Sequence, residues 1–253
     1  MEKRKILIKK YSGTIFLFII IFFAYYTATE NQYLDPYLFP KISKLRESLA
    51  EYKWEMFANL AYSFKILIPG VMGGISIALA LGIPMGMNKT IREMVHPVIY
   101  AVSMLPVILL SPYAIHMAPS LKAASIFLIV WGTVWSMLFA TINGIMTIDK
   151  RYLDNAMTLE LKGIKRFTKI ILPAAMPSMA GGFINSLRAA FLSLIFAEMY
   201  GTKIGMGAFI KINSDLGRFQ HVWTGFLFLA FVMVLVMQIV ERTKDYLLRW
   251  TID

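Results

Sequence analysis

The 253-residue chain contains no cysteine. That removes disulfides, thiolate zinc sites, iron–sulfur clusters and thiol nucleophiles together. Charge is scarce as well, with Asp, Glu, Lys and Arg at 16% against about 25% in a soluble domain. Histidine occurs only at His96, His116 and His221, never at metal-ligand spacing, and there is no HExxH sequence. A nucleotide-binding loop is missing too. Gly82, Gly86, Lys89 and Thr90 approach one, but Lys89 does not directly follow the second glycine. Paired acids or a Ser–base pair suited to intramembrane catalysis are also lacking. The chain is expected to hold no catalytic residue, no metal and no cofactor of its own.

What it has in abundance is apolar surface: 58% hydrophobic residues and a mean hydropathy of +0.62. A bilayer core of about 30 Å takes about 20 apolar helical residues. Six stretches meet that length: 11–29, 66–87, 94–117, 123–146, 174–200 and 222–240. The pattern predicts an all-α polytopic membrane protein with six transmembrane helices. Pro97, Pro106 and Pro112 single out the third stretch as the one to bend. Lys3, Arg4, Lys5, Lys9 and Lys10 precede the first stretch as in a signal peptide. Bulky Tyr25 and Tyr26, however, stand where small cleavage-site residues belong, so an uncleaved anchor is expected.

The net charge of +11 is explained by topology. Connections on the side of the termini hold sixteen Lys and Arg and those on the other side nine, with Arg188 inside a span. The positive-inside rule then places both termini in the cytoplasm, and no basic domain remains for nucleic acid. Between the first two spans, Leu45, Leu49, Tyr52, Met56, Leu60 and Phe64 recur at helical spacing opposite Glu47, Glu51 and Glu55. This predicts an amphipathic helix over 41–65, either lying at the outer interface or beginning an over-long second span. The domain expectation is an anchor plus interfacial helix over 1–65, a transport core over 66–241 and a cytoplasmic tail over 242–253.

The connection 147–173 is too polar to span and too patterned for slack chain. Asp149 is placed to cap a short helix whose apolar face is Ile148, Tyr152, Leu153, Ala156 and Met157, with Asp154 and Asn155 on its polar side. Gly163 permits a turn. Ile164, Phe167, Ile170 and Ile171 then form the stripe of a second short helix ended by Pro173. Such a helix pair can lie on anionic lipid or dock into a groove on a cytoplasmic partner.

This segment resembles the cytoplasmic loop of membrane subunits of binding-protein-dependent ABC importers. Their pattern is Glu-Ala-Ala, three residues, Gly, nine residues, Ile-x-Leu-Pro. Ile170-Ile171-Leu172-Pro173 fits its end; the Glu-Ala-Ala positions fall on Asp154, Asn155 and Ala156, and the glycine position on Glu160. Leu38-Phe39-Pro40, the run Leu81–Gly86, Thr141-Ile142-Asn143-Gly144-Ile145, Leu172–Pro177, Ala197-Glu198-Met199 and Gly205-Met206-Gly207 resemble the nitrate/sulfonate/taurine branch of that family. The resemblance implies a type I ABC importer permease (MetI-like) fold and ATPase coupling through Asp154, Asn155, Ala156, Glu160, Gly163, Ile170, Leu172 and Pro173. It further implies two permease subunits, a homodimer, seated on ABC ATPase subunits that bind ATP and Mg, and an extracytoplasmic substrate-binding protein. The setting is the inner membrane, with lipid as a further partner.

Charges at membrane depth usually face a bundle interior or an aqueous cavity. Arg188 stands midway along the fifth span. It either attracts an anion along a translocation path or pairs with Asn143, Asn185 or a backbone carbonyl. Glu198 lies about 15 Å further along the same helix, too far for a direct pair, and is suited to hold a helix end or gate. Asn143 and Asn185 suit inter-helix hydrogen bonds, with solute contact as the alternative. Trp131 and Trp135 share a helix face and are expected in dimer or core packing rather than a solute cage. The 17 methionines suit adaptable packing. The expected function is the translocation subunit of an ATP-driven importer for a small anionic or polar organic solute. The alternative is a self-sufficient carrier or channel, which would require ion-coordinating acids in the spans.

Overall fold

The computed structural model describes the backbone of residues 2–251 and the side chains of residues 12–250; the side chains of the basic run at Lys3–Lys10 lie outside the described residues. The helices are α1 (Glu2–Glu30), α2 (Ile42–Met87), α3 (Lys89–Ser103), α4 (Val107–Met117), α5 (Leu121–Met146), α6 (Lys150–Thr158), α7 (Gly163–Arg166), α8 (Leu172–Gly201), α9 (Met206–Asp215) and α10 (Phe219–Leu247). Five helical stretches are long and apolar enough to cross a membrane, and the pair α3–α4 makes a sixth if its two halves count as one span. That pair is bent by 88° at the break before Pro106, as the proline content of the third stretch predicts. Pro69 and Pro84 sit inside α2 without breaking it.

The centre of the bundle is α5, with α2 on one side and α8 on the other. A ladder of small residues brings α2 close: Gly70, Gly74, Ala78, Gly82 and Gly86 recur every fourth position and meet successive turns of α5. A Cβ would lie 2.6 Å from Ile129 Cγ2 at Gly70, 2.7 Å from Thr133 Cβ at Gly74, 3.0 Å from Thr141 Cβ at Gly82 and 2.8 Å from Ile145 Cβ at Gly86. The matching order shows that α2 and α5 run parallel. Backbones this close gain dispersion contacts that bulky side chains would prevent. The buried hydroxyls of Thr133 and Thr141 donate to the carbonyls of Ile129 and Met137, both at 2.7 Å, so no polar atom is stranded by the approach. The α5–α8 contact is antiparallel, with Gly182 against Ala140 and Gly144 against Ser178. Ser178 Oγ donates to Ala140 O at 3.0 Å.

Residues 41–65 take the over-long form of the two open alternatives. Helix α2 has 46 residues and a length of about 69 Å, so its first turns project well beyond a bilayer. Their inner face is centred on Ser48, Tyr52, Met56 and Ser63, while Leu49 is exposed. It packs on α9 and the start of α10: Tyr52 lies 4.5 Å from the His221 ring, and Ser48 Oγ is hydrogen-bonded to His221 Nδ1 at 2.8 Å. His96 stacks near Tyr100 and Phe139, and His116 is exposed in the last turn of α4. Among the described residues, no group of three His, Asp or Glu is placed to hold a metal. Helix α1 stands apart from the bundle. Ile15 to Phe23 are about half to two-thirds exposed, and the helix is tied in near its end by Tyr25 Oη donating to Pro40 O at 2.7 Å.

Candidate functional site

At one end of the bundle α6 forms as its sequence predicts. Asp149 Oδ1 accepts from the Arg151 backbone N–H at 2.9 Å, and its Oδ2 pairs with the Arg151 guanidinium at 2.6 Å. These two hydrogen bonds, side chain first, hold the Asp149 carboxyl below its ordinary pKa. The expected apolar face divides in two. Ala156 is fully buried and Leu153 half-buried, while Tyr152 and Met157 remain exposed with the polar Asp154 and Asn155. The reason is width: a nine-residue helix lying on the bundle covers only a narrow strip, and Tyr152 and Met157 flank it.

The end of α6 explains the glycine position. Glu160 adopts φ +52° and the Leu161 N–H closes on Ala156 O at 2.9 Å, a left-handed cap usually built with glycine. Glu160 therefore holds the conformation that the importer pattern reserves for glycine, and Gly163, at φ +54°, supplies a second turn. Beyond it Ile164 is exposed, whereas Phe167 and Ile170 are half-buried and Ile171 is buried.

Pro173 does not end this helix, which corrects the sequence expectation. Helix α7, a π-turn over Phe167–Ile171 and α8 form one stretch of 39 residues. The Leu172 N–H donates to Phe167 O, five residues back. A proline ring clashes with the carbonyl four residues earlier in a regular helix, and the wider π-turn just before Pro173 accommodates it.

Midway along α8 the residues left uncovered form a stripe: Gly181, Asn185, Arg188 and Leu192. Nothing lies within 4 Å of a Cβ built at Gly181. Arg188 Nη1 donates to Asn185 Oδ1 at 3.4 Å, one of the partners its sequence position suggests. Its main partner is different: Nη2 donates to Glu241 Oε1 of α10 at 3.1 Å, with side-chain exposures of 58% and 46%. Sequence reasoning missed Glu241 because the sixth apolar run ends at Val240. No helix breaker follows, so α10 continues to Leu247 and carries Glu241 inside it. Asn143 is exposed near the end of α5, and no hydrogen bond joins it to Arg188.

Glu198 is fully buried at the opposite end. Three donors at the start of α9 are each met by a side chain from another helix. Gly205 N–H donates to Asn59 Oδ1 at 3.0 Å, Met206 N–H to Ser63 Oγ at 3.0 Å and Gly207 N–H to Glu198 Oε2 at 2.8 Å. Glu198 thus holds a helix end, one of the two roles its position suits. No Cβ fits at Gly205, which has φ +125° and abuts the Glu198 carboxylate; one at Gly207 would lie 2.6 Å from Ile195 O. Asn59 and Ser63 recur four apart on α2, a spacing visible in the sequence, but their target lies about 145 residues away.

Trp131 and Trp135 pack edge to face at 5.1 Å. Trp131 Nε1 donates to Leu105 O at 3.2 Å, a carbonyl freed by the break before Pro106. The two indoles line a cavity of about 330 Å³ at that break with Leu192, Ser193 and Phe196.

Comparison with known proteins agrees with this architecture. A chain of a methionine ABC transporter solved in inward-facing conformations superposes with a TM-score of 0.63 at 15% identity, covering 79% of this chain and 97% of that one; the likeness establishes the fold. By sequence, the chain is 29% identical over 78% of its length, and 71% of the relative's, to a Bacillus subtilis permease protein named for aliphatic sulfonates transport. It is 24% identical over 73% of its length, and 66% of the relative's, to a nitrate import permease protein of Leptolyngbya laminosa. With a bicarbonate transport system permease protein of Synechococcus elongatus it shares 28% identity, covering 78% of this chain and 68% of that one. The profile of the binding-protein-dependent transport system inner membrane component matches residues 70–253, from the glycine ladder of α2 through α10; the chain belongs to that family and is a multi-pass inner-membrane permease component, a transport subunit and not an enzyme.

Proposed function

We propose that this chain forms the translocation pathway of an ATP-driven importer for a small anion of the sulfonate, nitrate or bicarbonate kind, and that the pathway runs along the uncovered face of α8. The contrast between two exposed helix faces carries the reading. On α1 the central run Ile15 to Phe23 is exposed and bulky and apolar throughout, as lipid contact requires. On α8 the exposed residues include, beside Gly181 and Leu192, the polar Asn185 and Arg188, which hydrocarbon solvates poorly. A polar stripe midway along a span needs water or a protein partner. Two copies of the chain facing each other across these stripes, as a homodimer, supply both. The relatives named for sulfonates, nitrate and bicarbonate support an anionic solute, which Arg188 suits.

Helix α6 is the coupling contact in this reading. Its exposed Tyr152 and Met157, with Ile164, offer apolar anchors to a cytoplasmic ATPase that binds ATP and Mg, while Glu160 and Gly163 set the turn that presents them. Both termini lie on that cytoplasmic side, by the excess of Lys and Arg there, and a binding protein delivers the solute at the α9 end. The segment over 147–173 is the coupling loop, and 66–241 is the transport core. The carrier alternative finds its acids engaged among the described residues of the spans: Glu198 caps α9 through Oε2 and Glu241 is paired with Arg188. The test is co-purification. The intact chain should retain a P-loop ATPase, and Tyr152→Ala with Met157→Ser should lose it without loss of the folded permease. Uptake of ethanesulfonate, nitrate or bicarbonate by proteoliposomes holding this chain alone, without ATP, would overturn the proposal.

A further inference from the structure

We infer that Glu241 is a built-in counter-ion that occupies Arg188 when the pathway is empty and that a transported anion displaces. The inference rests on the reading of the α8 stripe as the pathway and deepens it. A guanidinium carries five N–H donors in a planar fork suited to an oxyanion. In this structure one donor goes to Glu241 at 3.1 Å and one to Asn185 at 3.4 Å. The remaining donors have no partner among the described residues, on a face that those residues leave exposed. The two charges sit on different helices, Arg188 on α8 and Glu241 on α10, so the bond can open when those helices shift.

A permanently free guanidinium at this depth would be costly and would hold any anion too firmly to release it. A carboxylate within reach solves both problems. It neutralises the site at rest and competes for the fork, so only an anion that offers comparable oxygens gains entry and none is trapped. Asn185, charge-neutral and one turn away, steadies the guanidinium in either state. Glu241 is thus a positioning and selectivity residue, acting on the solute through Arg188.

The experiment uses the full chain in lipid nanodiscs and measures calorimetric binding of ethanesulfonate, nitrate and bicarbonate in turn. Glu241→Gln keeps the shape and removes the competing charge, so at least one of the three anions should bind about two- to fivefold more tightly, the range expected for release from a half-exposed ion pair. Glu241→Asp should return binding toward the native value. Arg188→Gln should abolish it, with or without Glu241→Gln. If Arg188→Gln weakens binding but Glu241→Gln leaves it unchanged or weaker, the counter-ion inference fails while the pathway reading stands. If neither substitution changes binding, or if no anion binds the native chain, both fail. The charge-swapped Arg188→Glu/Glu241→Arg chain tests a purely structural bond: native binding and stability in the swap would overturn the inference. Nanodiscs of phosphatidylcholine alone and with phosphatidylglycerol separate the sources of the anion. Equal responses mark a soluble solute. A Glu241→Gln effect that disappears when phosphatidylglycerol is present identifies a lipid headgroup on Arg188 and overturns the role in transport.

Discussion

At the scale of single residues, the segment over 147–173 shows how local chemistry shapes the proposed docking element. Asp149 caps α6 through Arg151, which lowers its carboxyl pKa. A carboxyl depressed in the folded state stabilises above its unfolded value, about 3.9, and that contribution is lost as pH falls through the folded value. The cap is therefore expected to be intact throughout the neutral range and to fail only in acid, below the ordinary carboxylate value, visible as loss of the Arg151 amide resonance there. Glu160 poses the opposite problem. A non-glycine residue at φ +52° stores strain of order 1–3 kcal/mol, so Glu160→Gly should raise stability by about 1 kcal/mol, read as a higher unfolding midpoint of the purified chain. An unchanged or lower midpoint would mean that the Glu160 side chain compensates through contacts of its own. The importer pattern marked this position in the sequence. That a glutamate there would keep the left-handed conformation was not legible, because backbone conformation at one residue is decided by the hydrogen bond from Leu161 to Ala156 that closes around it.

At the scale of helices, six apolar stretches and a bent third one were legible because membrane spans are specified by length and composition, and a break by proline. Three features were not. Helix α2 continues unbroken through Lys65 because its amphipathic and apolar halves share one helical phase, and nothing in hydropathy separates a joint from a continuation. Helix α8 absorbs Pro173 through a π-turn, a local rearrangement that proline rules alone do not reveal. The pair Arg188–Glu241 joins two helices 53 positions apart, and a single sequence contains no signal linking them. The ladder from Gly70 to Gly86, small residues at every fourth position, takes its meaning only from the approach of α5. Gly74→Leu should therefore force α2 away from Thr133 and Val130 at a cost of about 1–3 kcal/mol or more. The expected readout is a lower unfolding midpoint, with Gly13→Leu on α1 as the control: nothing lies within 4 Å of a Cβ there, and stability should change little.

At the scale of the whole molecule, the continuous stretch from Gly163 to Gly201 links the two ends of the bundle. Its 39 residues extend about 58 Å, from the turn beside α6 to the Glu198 carboxylate that grips α9. In the proposed coupling, a displacement of α6 passes through the turn over 159–162 and then reaches α9 through one helix and one buried cap. The cap is fitted closely: Gly207 has no room for a Cβ between Ile195 O and Glu198, and Asn59 and Ser63 fix the same helix start to α2. Gly207→Val should lift α9 from this seat while leaving α6 and its exposed Tyr152 and Met157 untouched. In the assembled importer, the expected result is normal retention of the ATPase and an unchanged basal hydrolysis rate. Stimulation by the loaded binding protein should fall by about tenfold, equivalent to about 1.4 kcal/mol of lost coupling. A uniform loss of ATPase retention and of both rates would instead show that the substitution unfolds the permease. Full stimulation in Gly207→Val would show that motion reaches the α9 end by another route, with the parallel, glycine-seated pair of α2 and α5 as the remaining rigid connection between the two ends.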